Sequence, residues 1–124
     1  MTISDPIRYK AAFAVFKLAV KTENSGIHRI TNREPKGKGW VQCKNEPQGI
    51  MCKPDKVLEA IEYYKIACEI YPGIVALNQI AVKYLLLGEK SKAKEYFTKL
   101  KEQAEKENNE IYLQGALEGI RRCE

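Results

Sequence analysis

At 124 residues the chain is the length of one small domain, and its 44% apolar and 30% charged residues exclude a wholly disordered protein. No apolar run is long enough to cross a bilayer, and the start MTISDPIRYK has no basic segment leading into an apolar one, so a cytoplasmic protein with no membrane partner is expected. The net charge of +5 suits an acidic partner or nucleic acid without requiring either.

The first predicted element is a helix over 5–22, with Asp5 as its N-cap and Pro6 at the first helical position, where a missing N–H costs nothing. Ile7, Ala11, Ala14 and Leu18 make one apolar stripe at helical spacing, and Tyr9, Phe13, Phe16 and Val20 make a second. A helix apolar over so much of its girth is expected to be covered on two sides. From 24 to 53 the helical pattern gives way to prolines, glycines and short β-favouring runs, with GWVQCKNEPQGIMC readable as a small hairpin. Helical periodicity then resumes to the C-terminus. Asp55 stands where it can cap a helix stopped by Pro72-Gly73, Gly88 ends the next, Asn108-Asn109 breaks a fourth, and 109–123 forms a capping fifth. The expected architecture is a single all-α domain over 1–124, about five helices with one long irregular insertion between the first and second.

Ala60, Tyr64 and Ala67 recur 33 residues later as Ala93, Phe97 and Leu100, and the stretch from Leu77 reads L-x2-I-A-x2-Y-x3-G-x4-A-x3-F. This resembles the tetratricopeptide repeat, a helix–turn–helix unit built on small and aromatic residues at such intervals. By that likeness 74–107 is one full repeat, with Leu77 in place of the usual tryptophan and Glu105 in place of the terminal proline. The stretch 55–73 is the second half of a preceding repeat, its proline kept as Pro72. Asp5–Thr22 would supply that repeat's missing first helix, with the insertion between its halves.

The resemblance implies antiparallel helix hairpins stacked around a groove that holds a segment of another protein, as an adaptor or small chaperone does. The groove of the full repeat would present Val75, Asn78, Val82, Leu85 and Leu86, an apolar set suited to an apolar or amphipathic segment. Fewer than three whole repeats are visible, so self-association, or a place as an obligate subunit of a complex, is a further expectation.

The insertion carries a surplus of four positive charges, Arg29, Arg33, Lys36, Lys38, Lys44 and Lys53 against Glu34 and Glu46, around the single tryptophan, Trp40. Basic residues beside an aromatic ring can neutralise phosphates and stack a base, so nucleic-acid contact through 28–44 is the alternative to protein binding. His28, Cys43 and Cys52 are the residues with metal-ligand chemistry, but H-x14-C-x8-C lacks the tight cysteine pair that zinc sites use, and no metal or cofactor is expected. A Cys43–Cys52 disulfide is the other use of the pair. No nucleophile with a supporting motif and no phosphate-binding glycine loop occurs, so the chain reads as a non-enzyme.

Overall fold

The computed structural model describes residues 5–29, 39–45 and 50–124, with the side chains of Asp5 and Arg29 outside that description. Among the described residues there are five helices, α1 (Asp5–Asn24), α2 (Pro54–Ile70), α3 (Ile74–Leu86), α4 (Lys90–Lys106) and α5 (Glu110–Arg122). Between α1 and α2 lie three short strands, β1 (Ile27–Arg29), β2 (Val41–Gln42) and β3 (Ile50–Cys52). The fold is therefore mainly helical, and the insertion contributes a small sheet in which β2 and β3 pair antiparallel within the stretch read as a hairpin, with β1 as an added strand.

Local chemistry sets the helix ends. Pro54 occupies the first turn of α2 after Lys53 in extended conformation, so the helix starts one residue before the expected cap, and Asp55 sits in the first turn where its charge meets the positive end of the helix. Tyr71 leaves α2 extended, and Gly88 adopts φ +81 after α3, a left-handed turn that a side chain would resist. Asn109 caps α5 by accepting a hydrogen bond from the Tyr112 N–H at 3.1 Å.

Each helix packs on the next in chain order, and α3 also touches α5. Of the five, α3 has the most uniformly apolar sequence, and such a helix must be buried on most sides. It lies at the centre, with Leu77, Ile80, Ala81, Tyr84, Leu85 and Leu86 in the core. The amphipathic α4 turns Ala93, Phe97, Leu100 and Ala104 inward, one side chain per turn. All six residues of the 33-residue recurrence are buried. Ala60 and Ala93 are fully so, which lets neighbouring helices approach closely. Burying side chains the size of Ile61, Ile80 and Leu85 contributes on the order of 1.5–3 kcal/mol each.

The sheet runs β1-β3-β2 with both pairings antiparallel. Ile27 and Val41 both stand opposite Cys52, and the Cys43 N–H extends the β2–β3 pairing by donating to the Ile50 carbonyl at 2.9 Å. The sheet's inner face belongs to the same core as the helices, through buried Cys43 and Cys52 with Ile27 and Ile50 packed against them. It also caps α3. The Lys44 N–H donates to the Leu86 carbonyl at 2.8 Å, satisfying an acceptor that a helix end leaves open, and the Asn45 side-chain amide donates at 2.9 Å to the Leu85 carbonyl, which also accepts from the Gly88 N–H.

Among the described residues, only one side of α1 is covered. It meets α2 through Ala12, Phe16 and Ala19, with the Phe16 ring edge-on to Tyr64 at 5.1 Å, while Ile7 and Leu18 stay exposed. The expectation of cover on two sides is corrected. The α1–α2 contact runs through the alanines between the two bulky stripes, because small residues allow the closer approach.

Candidate functional site

The N-terminal half of α1, the α2–α3 turn, the start of α3 and the end of α4 enclose an open groove of about 620 Å³. Its wall from α1 is aromatic, with Tyr9 and Phe13 one helical turn apart and their rings parallel at 6.3 Å. Tyr9 meets Tyr71 edge-on at 5.6 Å, which joins the α1 wall to the end of α2. The Pro72-Gly73 stop then turns the chain sharply, so that Ile74, Val75 and Ala76 form the floor beside them. Arg8 fixes this corner by donating from Nε to the Ile70 carbonyl at 3.0 Å, with its guanidinium 5.9 Å from the Tyr71 ring centre. Polar rim groups come from Gln103 of α4 and Glu107 just after it, and the Lys17 ammonium lies 5.1 Å from the Phe13 ring centre. Tyr9, Phe13, Tyr71 and Val75 are all exposed large apolar side chains, a concentration that on a folded surface marks a place of contact.

Of the residues expected to form a groove on α3, only Val75 lines this one. Asn78 and Val82 are half-buried, and Val82 packs against the core. Leu85 and Leu86 are 1% and 6% exposed, so they are core residues and do not line this groove. The reason is the cap described above, which lays the sheet over that end of α3. Sequence reasoning missed Tyr9, Phe13 and Tyr71 as the opposing wall, although the aromatic stripe on α1 was visible.

The basic insertion is only partly described. Trp40 is half-buried, 6.0 Å from the His28 ring and 5.0 Å below the Lys53 ammonium, and Lys44 is exposed. Arg29 stands in β1, whereas Arg33, Lys36 and Lys38 lie outside the described residues. The pleat separates the three metal-type residues. His28 pairs with Met51 and is exposed, while Cys52 points the opposite way with Cys43 into the core. Cys43 and Cys52 sit diagonally across the β2–β3 pairing, a spacing of roughly 7–8 Å that a disulfide cannot bridge, and no disulfide joins them. No group of three or more His, Cys, Asp or Glu residues suited to a metal ion occurs among the described residues.

A polar cluster unforeseen from sequence lies where α1, α2 and α3 meet. Tyr64 Oη donates to Glu23 Oε1, Lys83 Nζ stands 3.0 Å from Glu23 Oε2, and Lys83 also donates to Gln79 Oε1 at 2.6 Å. Burial first, then the Glu23 carboxylate, raises the Tyr64 phenol far above its ordinary value of 10.0. Above about pH 10 the unfolded phenol ionises while the folded one keeps its proton, so stability present below that pH is lost as pH rises. The unfolding free energy from denaturant titrations is expected to fall above about pH 10 by up to about 1.4 kcal/mol per pH unit for this one group, and to fall less steeply in Tyr64→Phe. Equal slopes in the two proteins would contradict the assignment.

Lys65 and Lys92 lie 5.3 and 5.6 Å from the Tyr84 ring centre, and Lys99 lies 4.6 Å from that of Tyr96. A hydrogen bond with Tyr84 chiefly raises the Lys65 ammonium, and burial chiefly raises the Tyr96 phenol and the Cys68 thiol. A raised thiol is the less reactive kind, which fits Cys68 as a packing residue.

Compared with known protein families, curated proteins and solved structures, the chain finds no match in any of the three. No described helix is long and apolar enough to cross a membrane.

Proposed function

We propose that the chain is a non-catalytic protein-binding module, a tetratricopeptide-like array that holds an apolar or amphipathic segment of another protein in the groove between α1 and α3. The observation that carries this reading is the groove itself, about 620 Å³ with the rings of Tyr9, Phe13 and Tyr71 facing Val75. Open, exposed rings suit side chains arriving on a segment better than a small molecule, which usually sits in an enclosed pocket with convergent polar groups. The helix order supports the array, since α1 packs on α2 and α3 on α4 as successive pairs with the repeated small and aromatic positions buried. With so aromatic a wall, the groove suits a client held by apolar contact, as by an adaptor or small chaperone.

Affinity capture from native lysate in high salt tests the proposal, with wild type beside Phe13→Asp/Val75→Asp. Both positions are exposed, so circular dichroism is expected to be unchanged. Protein retained by wild type and lost by the folded variant is the expected result. Identical retention by both would remove the groove as the working surface. The alternative, nucleic-acid contact through the insertion, draws on the Lys53–Trp40 stack. It predicts recovered nucleic acid that added salt releases.

A further inference from the structure

We propose that the outer face of α1, distinct from the groove, docks an amphipathic helix whose edge carries carboxylates. Ile7, Ala11, Ala14 and Leu18 follow one another at spacings of four, three and four, the register of a two-helix seam. All four are exposed, Ile7 by 60% and Leu18 by 50%, on the side away from α2.

Lys10, Lys17 and Lys21 run along one edge of this seam. None makes an ion pair with another described residue, and Glu23 is turned inward to Lys83. Lys17 and Lys21 are four residues apart, a like-charge spacing that destabilises a helix. Lys10 and Lys17 stand about 10 Å apart along the axis. A helix lying alongside with acids at matching intervals of seven and four residues relieves that repulsion while covering the seam.

Charge decides against two other occupants. A second copy of α1 laid antiparallel sets Lys10 against Lys17 of the other copy, and laid parallel it sets both against Val15 and Thr22, which carry no charge. The exposed face of α5 balances Glu110 and Glu118 with Arg121 and Arg122, so it offers the lysines no net countercharge. A membrane surface is the less fitting partner because its helices carry a broad bulky face, whereas the middle of this seam is Ala11 and Ala14.

Two synthetic amphipathic peptides with the same leucine seam, one edged with glutamate and one with lysine, test the proposal by fluorescence anisotropy against the full chain. The glutamate peptide is expected to bind at least about ten-fold more tightly and to weaken with salt. Lys10→Glu/Lys17→Glu/Lys21→Glu is expected to reverse the preference. Leu18→Asp is expected to abolish binding, and Val75→Asp in the groove to leave it unchanged. These side chains are exposed, so the variants fold, and circular dichroism verifies it. Equal affinity for the two peptides, or no binding of the glutamate peptide at about 1 mM, overturns the proposal. So does self-association in sedimentation that Leu18→Asp removes, which makes the occupant a second copy. Capture of wild type by phosphatidylserine vesicles that the lysine reversal removes makes it a membrane.

Discussion

Glu23→Ala is expected to lower stability by about 3–5 kcal/mol, because it strands a buried positive charge. Lys83 is 4% exposed, and its ammonium keeps only Gln79 once the carboxylate at 3.0 Å is gone. Tyr64 loses its acceptor in the same step. The reverse truncation is milder. In Lys83→Met the carboxylate keeps the Tyr64 hydrogen bond and partial access to water, since the Glu23 side chain is 18% exposed. Removing both charges in Glu23→Leu/Lys83→Met is expected to recover most of the loss, as buried pairs replaced by apolar groups of similar size often do. Urea unfolding of wild type, Glu23→Leu, Lys83→Met and the double variant gives the coupling, with Glu23→Ala measured beside them. Small additive losses, each below about 1 kcal/mol, would mean that water reaches the pair as it reaches exposed ones. The cluster also places α1. The insertion of 24–53 separates α1 from α2 in sequence, and its two ends are tied by Arg8 to Ile70 and by Glu23 to Lys83 and Tyr64. The groove wall of Tyr9 and Phe13 lies between those ties.

The helix ends were legible because their determinants are local. Pro72-Gly73, Gly88 and Asn108-Asn109 stop or start helices through their own backbone preferences, and the chain's helices break at each. The recurrence of small and aromatic residues correctly picked buried positions, since close helix approach demands that spacing. Which side of α1 would be covered was not legible. Both bulky stripes satisfied the helical period, and the choice fell to Ala12 and Ala19, whose value appears only when α2 is alongside. The burial of Leu85 and Leu86 depends on Lys44 and Asn45, about 40 residues away, in the turn that follows a strand too short for alternation to declare it. Lys83 did leave a trace. It is the one charged residue among the 13 of α3, and a lone charge in a helix so apolar implies a hidden partner. Nothing local names that partner as Glu23.

Gly115 and Gly119 are expected to respond oppositely to alanine. Both interrupt α5, and on helix propensity alone each replacement gains about 1 kcal/mol. At Gly115 that gain is free, because the residue is exposed and an added Cβ meets nothing within 4 Å. Gly115→Ala should raise stability by about 0.5–1 kcal/mol. At Gly119 the same Cβ would lie 2.4 Å from Cδ1 and Cε1 of Phe97, a ring only 3% exposed and held on all sides. Either the ring leaves its rotamer or α5 moves off α4, and overpacking of this kind costs about 1–3 kcal/mol. Gly119→Ala should therefore lose stability despite the better helix former, as urea midpoints will show. A neutral result would mean that α5 can slide away at little cost. The position matters because Phe97 is the residue that recurs from Tyr64. Tyr64 receives Phe16 from α1 edge-on, a ring filling the space, while Phe97 fills its own space and receives a glycine from α5. The same recurring position is thus completed in two ways. The second leaves α5 no side chain to spare at the contact, so the last helix is fixed by how closely its backbone can approach.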